Sequence, residues 1–337
     1  IGGGGYVNST TSGSGRNQLD NGAFYIWQRG IGVDAAHIGT DDTYFADRWI
    51  RKSTLTGSYD KDFSIEREKF SFGQGEVLGN PEYYSVLRSG QTGSTGSTFG
   101  DNIFYGNIIE DANTYAGVPV TVSFYAKGAT GVTGFIAAEY QQFWNGAPAG
   151  HGKVVSTQKL DLIYIDGATG YTRYALSFKP KNLPAGATTN PNDSYAIFSL
   201  LPYRYNGTTG NTGAADVAYN ADLYLAKFQM DSGFVVTNPV PSDRRRERSR
   251  ANKFYQTSYT ENDYLGKNTM VTGTNIPKDG SPSVLMNTSG NMQFTLPDEM
   301  RIPPTIIDIF SPTGVKDMAF NASCLLYTSP SPRDNGR

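Results

Sequence analysis

The feature that most limits the fold of this chain is a series of short segments in which apolar and polar residues alternate. In VPVTVSFYAK, the residues Val118, Val120, Val122, Phe124 and Ala126 fall on one side and mostly polar residues fall on the other. This alternation predicts a half-buried strand of an antiparallel sheet. Similar segments are Phe63–Phe72, Tyr83–Ser89, Ile103–Ile109, Phe135–Tyr140, Tyr171–Phe178, Tyr195–Leu201 and Asp222–Met230. Such a series, with turn residues and no helical patterns between most strands, predicts an all-β antiparallel sandwich of the jelly-roll type.

Composition agrees with a β protein and limits the kinds of partner. The 337 residues include 39 Gly and 22 Tyr, and only 18% are charged. With a formal net charge of -2, the chain has no broad positive field that would favour nucleic acid or an anionic membrane. No apolar run has the length of a membrane helix. We therefore expect no nucleic-acid partner and no membrane partner.

Changes in composition along the chain predict its organisation. Residues 1–17 are rich in Gly and Ser and predict a linker, and residues 18–241 hold the predicted sandwich. Pro241, Ser242 and Asp243 are helix-start signals, so a short helix is expected over 242–256, with its arginines on a solvated face. After a polar stretch, alternation returns at Met292–Leu296. Residues 257–323 are therefore predicted to form part of a small, truncated second β domain.

The last residues have a different character. The run from Cys324 to Asp334 resembles the in-frame translation of a transposase-type sequencing adapter. Residues 324–337 are therefore expected to be a non-native tail, as in a fragment assembled from environmental reads, and are excluded from fold reasoning. Cys324 is the single cysteine, so disulfides and cysteine-based zinc sites are not expected in the rest of the chain.

Four sequence motifs occur in an order that resembles a known family. They are NGAFYIWQRG with YFADRW (Asn21–Gly30 and Tyr44–Trp49), GVPVTVSFYAKG (Gly117–Gly128), LAKFQMDSG (Leu225–Gly233) and FTLPDEMRIPPT (Phe294–Thr305). Together they resemble the C-terminal modules of bacteriophage tail-fibre, tail-tip and related virion proteins. Asp231 stands where that family usually has Glu, and the closing helix lacks the family's Cys and one Tyr, which concerns fine packing rather than the fold.

The resemblance implies a function in a virion. The family's sandwich is similar to carbohydrate-binding jelly rolls, so the implied role is a non-enzymatic phage tail or head fibre protein, located on the extracellular virion. Its implied partners are a host cell-surface glycan and other virion proteins, and the family's fibres are commonly homotrimers. Two alternatives stay open: a carbohydrate-binding module of an exported cell-surface protein, and a polysaccharide depolymerase.

The sequence offers little for catalysis. His37 and His151 are the two histidines, and no G-x-S-x-G nucleophile motif or H-E-x-x-H zinc motif is present. Glu66 and Glu68 share a strand face and could supply the two carboxylates of a glycosidase, but any β protein offers such pairs. No cofactor is expected apart from a structural Ca²⁺.

The residues proposed for glycan binding are an aromatic and amide cluster. Sugars stack their C–H faces on aromatic rings and bind amides through their hydroxyls. The candidates, assumed to lie in or beside exposed loops with Trp144 as the stacking ring, are Tyr140, Gln141, Trp144, Asn145, Tyr203 and Tyr205. The alternative is that the aromatic residues cap the sandwich edge or lie in a subunit interface.

Three further expectations concern packing around the first motif. Asp20, Asn21 and Asp231 could supply oxygen ligands for the calcium ion. Trp27 and Trp49 are expected in the core, with Arg29 and Arg48 pairing with Asp47 or Asp231. A strand at Asn21–Trp27 is expected to lie close to the strand at Asp222–Met230, because the first and last strands of a jelly roll commonly close the domain.

Overall fold

The fold is taken from a computed structural model of the chain. It describes residues 17, 19–28, 32–33, 43–53, 63–89, 103–145, 153–167, 170–187, 189, 194–205, 215–219, 221–241, 243–256, 283–286, 292–295, 300, 318–320 and 326–328. The strands, in chain order, are β1 (Gly32–Val33), β2 (Thr43–Tyr44), β3 (Trp49–Ser53), β4 (Phe63–Lys69), β5 (Tyr83–Ser89), β6 (Ile103–Glu110), β7 (Val120–Gly128), β8 (Gly134–Asn145), β9 (Lys153–Lys159), β10 (Ile163–Ile165), β11 (Thr172–Phe178), β12 (Tyr195–Tyr205), β13 (Ala215–Ala218), β14 (Leu223–Ser232), β15 (Ser283–Met286), β16 (Met292–Thr295), β17 (Met318–Phe320) and β18 (Leu326–Thr328), with a helix α1 (Arg244–Asn252) after β14.

Two antiparallel sheets form the body of the molecule. The first sheet has the order β1-β4-β5-β14-β7-β11, and the second has the order β10-β8-β12-β6-β3-β2. In the second sheet, β9 also pairs with β8 and β13 pairs with β12. From β6 to β8 the chain changes sheet at every strand, so each connection crosses the edge of the sandwich. The predicted all-β sandwich with a short helix is confirmed.

One hydrophobic core lies between the sheets. The first sheet contributes residues such as Val122, Phe124 and Leu225, and the second contributes residues such as Trp49 and Phe198, all in one packed cluster. Trp27 and Trp49 are fully buried, as expected. The indole of Trp49 lies 4.7 Å from the ring of Phe228 on the opposite sheet. Aromatic contacts of this kind add specificity to the area that the core removes from water.

The strand β7 is more buried than its alternation predicts. All its residues except Lys127 are buried, including Thr121, Ser123 and Tyr125 on the outer face. Two segments cover that face: Tyr125 packs in a cluster with Val77, and the Thr121 hydroxyl donates to the carbonyl of Gly233. The prediction of a half-buried strand was therefore wrong, because loops from elsewhere in the chain lie across it.

The segment Asn21–Trp27 is close to β14 but is not a strand. It consists of turns and irregular backbone, with positive φ at Asn21 and Phe24. The Phe228 amide donates to the carbonyl of Gly22 over 2.8 Å. The expected proximity is confirmed, whereas the expected strand is wrong. Its polar groups instead bind side chains: the Asn21 carboxamide accepts from the Ile26 amide and donates to the Ile26 carbonyl.

The helix is shorter than the predicted 242–256. Asp243 is its N-cap, and the carboxylate accepts from the Arg245 amide. Glu247 and Ala251 face the sandwich and are buried. The Glu247 carboxylate accepts from the Asn21 amide over 2.6 Å, which fixes the helix against the irregular segment.

Beyond the helix, the described strands form two separate pairs. β15 pairs with β16 and β17 pairs with β18, each antiparallel. β16 lies where the alternation at Met292–Leu296 predicts a strand. The second β domain and the non-native tail stay predictions. Among the described residues, no helix combines the length and the apolarity that crossing a membrane requires.

Candidate functional site

Two of the four aromatic residues proposed for glycan binding, Tyr140 and Trp144, are buried. The segment from Tyr140 to Asn145 continues β8 instead of forming a loop, and even-numbered positions of this strand face inward. Tyr140 is 0% exposed and Trp144 is 5% exposed. Gln142 on the same face donates to the carbonyls of Ala112 and Lys181. The expectation that Trp144 is an exposed stacking ring is therefore wrong.

The register of β8 and β12 also keeps the candidates apart. Tyr195 pairs with Phe143, and Leu201 pairs with Ala137. Tyr203 therefore lies beyond one end of this pairing and Trp144 beyond the other, roughly 30 Å away at about 3.3 Å per residue. Gln141 is half-buried on the outer face, while the side chains of Asn145, Tyr203 and Tyr205 lie outside the described part.

The three residues proposed for calcium already bind protein groups. Asp20 forms ion pairs with Arg250 at 2.5 Å and with Arg48 at 3.4 Å. Asp20 is thus a carboxylate partner of Arg48, which was expected to pair with Asp47 or Asp231. Arg29 lies outside the described residues. Two guanidinium groups on one carboxylate leave an electrostatically poor site for a cation.

The other two calcium candidates show the same pattern. Asp231 accepts hydrogen bonds from the Asn17 amide, the Gln229 amide and the Thr237 hydroxyl. Asn21 uses its carboxamide on Ile26, as described above. Within the described ranges, no three His, Cys, Asp or Glu residues gather as metal ligands would. The residues present do not fit a calcium ion.

A different site lies on the outer face of the first sheet. It is a groove of about 400 Å³, which we call the tyrosine groove. It is lined by Lys69, Phe70, Ser71, Gln74, Glu76, Tyr84, Lys127, Gly128, Thr130, Tyr171 and Tyr224. Its floor comes from adjacent strands: Tyr84 is on β5, Tyr224 is on β14 and Lys127 is on β7. Tyr224 and Lys127 are direct neighbours across the sheet.

The wall of the groove is the connection between β4 and β5. This connection crosses the outer face and reaches the start of β11, where the Glu76 carboxylate accepts from the Tyr171 amide over 3.2 Å. The Gln74 side chain closes a local turn by bonding both backbone groups of Val77. Val77 is buried against the sheet. These contacts hold the wall in place.

Four aromatic rings cluster at one side of the groove. The ring of Phe70 lies 4.6 Å from Tyr84 and 5.4 Å from Tyr171. The ring of Tyr84 lies 6.2 Å from Tyr224. All four residues are half-buried, so part of each ring faces solvent. An arrangement of half-exposed aromatic rings beside polar groups is typical of a ligand site.

A polar network borders the groove. The Arg88 guanidinium pairs with Glu66 at 2.7 Å, with Asp222 at 3.2 Å and with Glu68. The hydroxyl of Tyr84 donates to the second oxygen of Glu68. Burial, with the Glu68 carboxylate next, raises the pKa of Tyr84. Its phenol therefore stays protonated and remains a hydrogen-bond donor.

Two donors in the groove are left for a ligand. The Nζ of Lys127 lies 6.0 Å from the ring centre of Tyr171. In the described part of the chain, neither the Lys127 ammonium nor the Tyr171 hydroxyl has a hydrogen-bond or ion-pair partner. Burial raises the pKa of Tyr171, so this phenol is also neutral.

The sequence gives no local signal for this site. Its residues come from four strands and three connections, spread from Lys69 to Tyr224. Only strand register brings Tyr84, Tyr224 and Lys127 together, and a search for clustered aromatic residues favours segments such as Tyr140–Gly146 instead. The one indication of this site in the sequence is an outward-facing tyrosine on each of several predicted strands.

Comparisons with known proteins do not assign a family. No family model matches the chain, and no curated protein matches it. Solved structures with some likeness include a tailspike protein of bacteriophage CBA120, a xylan-binding domain from Paenibacillus barcinonensis and a family 22 carbohydrate-binding module of a Clostridium thermocellum xylanase.

These likenesses are weak. The sequence identities are 11%, 13% and 12%, and the TM-scores are 0.32, 0.32 and 0.31, in that order. The matches cover 64%, 55% and 64% of this chain and 21%, 92% and 98% of those chains, so this chain spans about a fifth of the tailspike protein. Similarity at this level carries no argument about ligand, activity or origin.

Proposed function

We propose that this chain is a non-enzymatic binding module that holds a glycan in the tyrosine groove. The observation that carries the proposal is the cluster of Phe70, Tyr84, Tyr171 and Tyr224, half-buried beside the Lys127 ammonium and the Tyr171 hydroxyl, two donors without a partner among the described residues. Its volume of about 400 Å³ falls within the roughly 300–1,000 Å³ of small-molecule sites.

Sugar chemistry matches this arrangement. A pyranose ring presents C–H groups on its faces, which pack on aromatic rings, and hydroxyls at its rim, which need donors and acceptors. The tyrosine rings supply the first kind of contact. The Lys127 ammonium, the Tyr171 hydroxyl and the Glu76 carboxylate supply the second.

Glu66 and Glu68, the pair that could have served a depolymerase, form ion pairs within the protein. Glu66 and Glu68 both bind Arg88, and Glu68 also accepts from Tyr84. A glycosidase needs one carboxyl group that delivers a proton and a second that acts on the sugar or on water. Carboxylates held by a guanidinium are poorly placed for either role, which favours binding over hydrolysis.

The biological setting that we propose is a phage virion appendage. Support comes from the four ordered sequence motifs that resemble tail-fibre and tail-tip modules. In this setting the groove attaches the virion to a host cell-surface glycan, other virion proteins hold the module, and a homotrimer is the expected assembly.

The test of this setting is to ask whether antibodies against the chain label intact phage particles. Labelling of host cells alone would instead support an exported carbohydrate-binding module.

A binding experiment tests the groove itself. Wild-type protein is applied to an array of bacterial surface polysaccharides, and Tyr171→Ala is compared with it. Because one aromatic contact contributes about 0.5–1.5 kcal/mol, we expect binding to weaken by roughly twofold to twelvefold.

The matched control is Tyr195→Ala. Tyr195 is also half-buried, but it stacks on Phe143 on the outer face of the second sheet. Both variants must keep the wild-type circular dichroism spectrum, so that a loss of binding is not a loss of folding. Equal retention of wild type and Tyr171→Ala, or equal losses in both variants, would contradict the proposed site.

A further inference from the structure

The charges around the tyrosine groove are unbalanced. Lys69 pairs with Glu82, which also interacts with Arg67 and Arg244, so this group of charges carries no excess of anions. The other charged residues that line the groove or belong to the Arg88 network bordering it are, among those described, the cations Arg88 and Lys127 and the anions Glu66, Glu68, Glu76 and Asp222. These six groups sum to two negative charges, so a ligand beside them meets more anions than cations.

Ion pairs within the protein reduce the number of cations that a ligand in the groove could contact. Lys69 is held by Glu82 at 3.0 Å, and Arg88 is shared by three carboxylates. Lys127 is thus the one lining cation that has no carboxylate partner in the described part. Glu76 lines the same groove, and its carboxylate accepts from the Tyr171 amide. An acidic sugar in the groove could pair with one cation, Lys127, and would be repelled by several carboxylates.

Lys127 and Glu76 together suit a neutral diol. A hydroxyl is both a donor and an acceptor, whereas an ionised carboxylate or phosphate only accepts. One hydroxyl of a sugar can accept from the Lys127 ammonium, and a neighbouring hydroxyl can donate to the Glu76 carboxylate. An amino sugar in its charged form would meet the Lys127 ammonium at the same place.

We infer that the tyrosine groove selects an uncharged sugar with adjacent free hydroxyls, and that Glu76 excludes acidic sugars from it. This inference rests on the proposed glycan binding, because it names the class of ligand for the same groove. Glu76 is the specificity-determining residue: as a carboxylate it accepts from hydroxyls and repels anionic groups.

The test uses pairs of ligands that differ in charge alone. Acidic polysaccharides containing uronic acids are compared on one array with their carboxyl-reduced forms, in which each carboxylate has become a primary alcohol. At low ionic strength, wild-type protein should bind the neutral form about threefold to tenfold more tightly, since like charges repel more strongly in weakly screened solution. In about 0.5 M salt the difference should shrink because the Debye length is shorter.

Variants assign the effect to a residue. Glu76→Gln keeps the size of the side chain and an oxygen for the Tyr171 amide, so the protein should stay folded while the preference for the neutral form falls to about twofold or less. Glu110→Gln removes a charge from an exposed residue of β6 in the second sheet and should leave the preference unchanged. A polymer bearing phosphodiester groups serves as a second anionic ligand and should behave as the uronate does.

The outcomes separate the two levels of the hypothesis. If wild type binds neither the acidic nor the reduced polymers, and no neutral glycan, glycan binding itself is wrong. If glycans bind through Tyr171 but acidic forms bind as well as neutral ones, glycan binding stands and the inferred selectivity is overturned. If the neutral preference persists unchanged in Glu76→Gln, the role assigned to Glu76 is overturned.

Discussion

At the scale of single residues, one close backbone contact holds the irregular N-terminal segment against the sandwich. The carbonyl of Gly22 accepts from the Phe228 amide, and a Cβ added at Gly22 would lie 2.2 Å from the Phe228 carbonyl oxygen. No side chain fits at that distance, so one of the two backbones would have to move. The contact explains why a glycine follows Asn21 in this motif.

The variant Gly22→Ala should therefore lower the free energy of unfolding by about 1–3 kcal/mol, the usual cost of overpacking a tight site. Gly75→Ala is the matched control, because an added Cβ there has no neighbour within 4 Å and its φ is not positive. Urea unfolding of both variants checks the prediction. Equal stability of the two would show that the backbone at Gly22 shifts without cost.

Individual residues also show where sequence reasoning succeeds. Trp27 and Trp49 were predicted to be core residues on the strength of their motif, and both are fully buried. Trp144 is expected to be exposed only if its segment is a loop. The segment instead continues β8, and the alternation of that strand places Trp144 on the inward face with Tyr140.

At the scale of elements, strand positions follow from alternation, but the covering of a strand does not. β4 to β8, β11, β12 and β14 lie where alternating segments predict strands. That β7 is buried on both faces depends on the connection carrying Val77 and on the segment after β14, both remote in sequence. The tyrosine groove also depends on such a remote segment. It forms where the connection carrying Val77 leaves part of the outer face of the first sheet uncovered.

The bulge in β14 places a lysine in an unfavourable environment. The pairing with β7 shifts between Ala226 and Gln229, and Lys227 within the shift has φ of +52°. Lys227 is only 4% exposed, and it packs on Gly79. Burial lowers its pKa to about 8, while the nearby Glu247 carboxylate acts in the opposite direction.

This lowered pKa predicts a pH-dependent stability. Between about pH 8 and 10 the unfolded chain keeps a proton on Lys227 that the folded chain has released, so raising the pH favours the folded state. Relative to Lys227→Met, the wild type should gain roughly 2 kcal/mol of unfolding free energy from about pH 7.5 to 10, given roughly 1.4 kcal/mol per pKa unit.

Measuring the difference between the two proteins removes other groups that titrate in the same range. The buried tyrosines, for example, have raised pKa values, which cost stability above about pH 10 in both proteins. Urea unfolding at several pH values gives the comparison. Parallel curves for wild type and Lys227→Met would contradict the assignment of a lowered pKa to Lys227.

At the scale of the whole molecule, the described contacts place the stabilising core within the sandwich and its helix. The hydrophobic clusters of the described residues run from Leu19 to Met230, and Ala251 on α1 is buried as well. The strand pairs β15–β16 and β17–β18 are short, and isolated two-stranded pairs are marginally stable in water. The domain limits near residues 18 and 256 stay predictions from composition.

Three truncations test this division of the chain. A chain ending at Ser323 lacks the proposed non-native tail, a chain ending at Gln256 also lacks the predicted second β domain, and a chain ending at Pro241 lacks α1 as well. The first two should unfold with the same main thermal midpoint as the full chain. The third should be less stable by at least about 2 kcal/mol, because it loses Glu247 as the acceptor for the buried Asn21 amide and Arg250 as a partner of Asp20. A lower midpoint on removing residues 324–337 would mean that β18, at Leu326–Thr328, stabilises the native protein through β17, and the interpretation of this segment as a sequencing adapter would then be wrong.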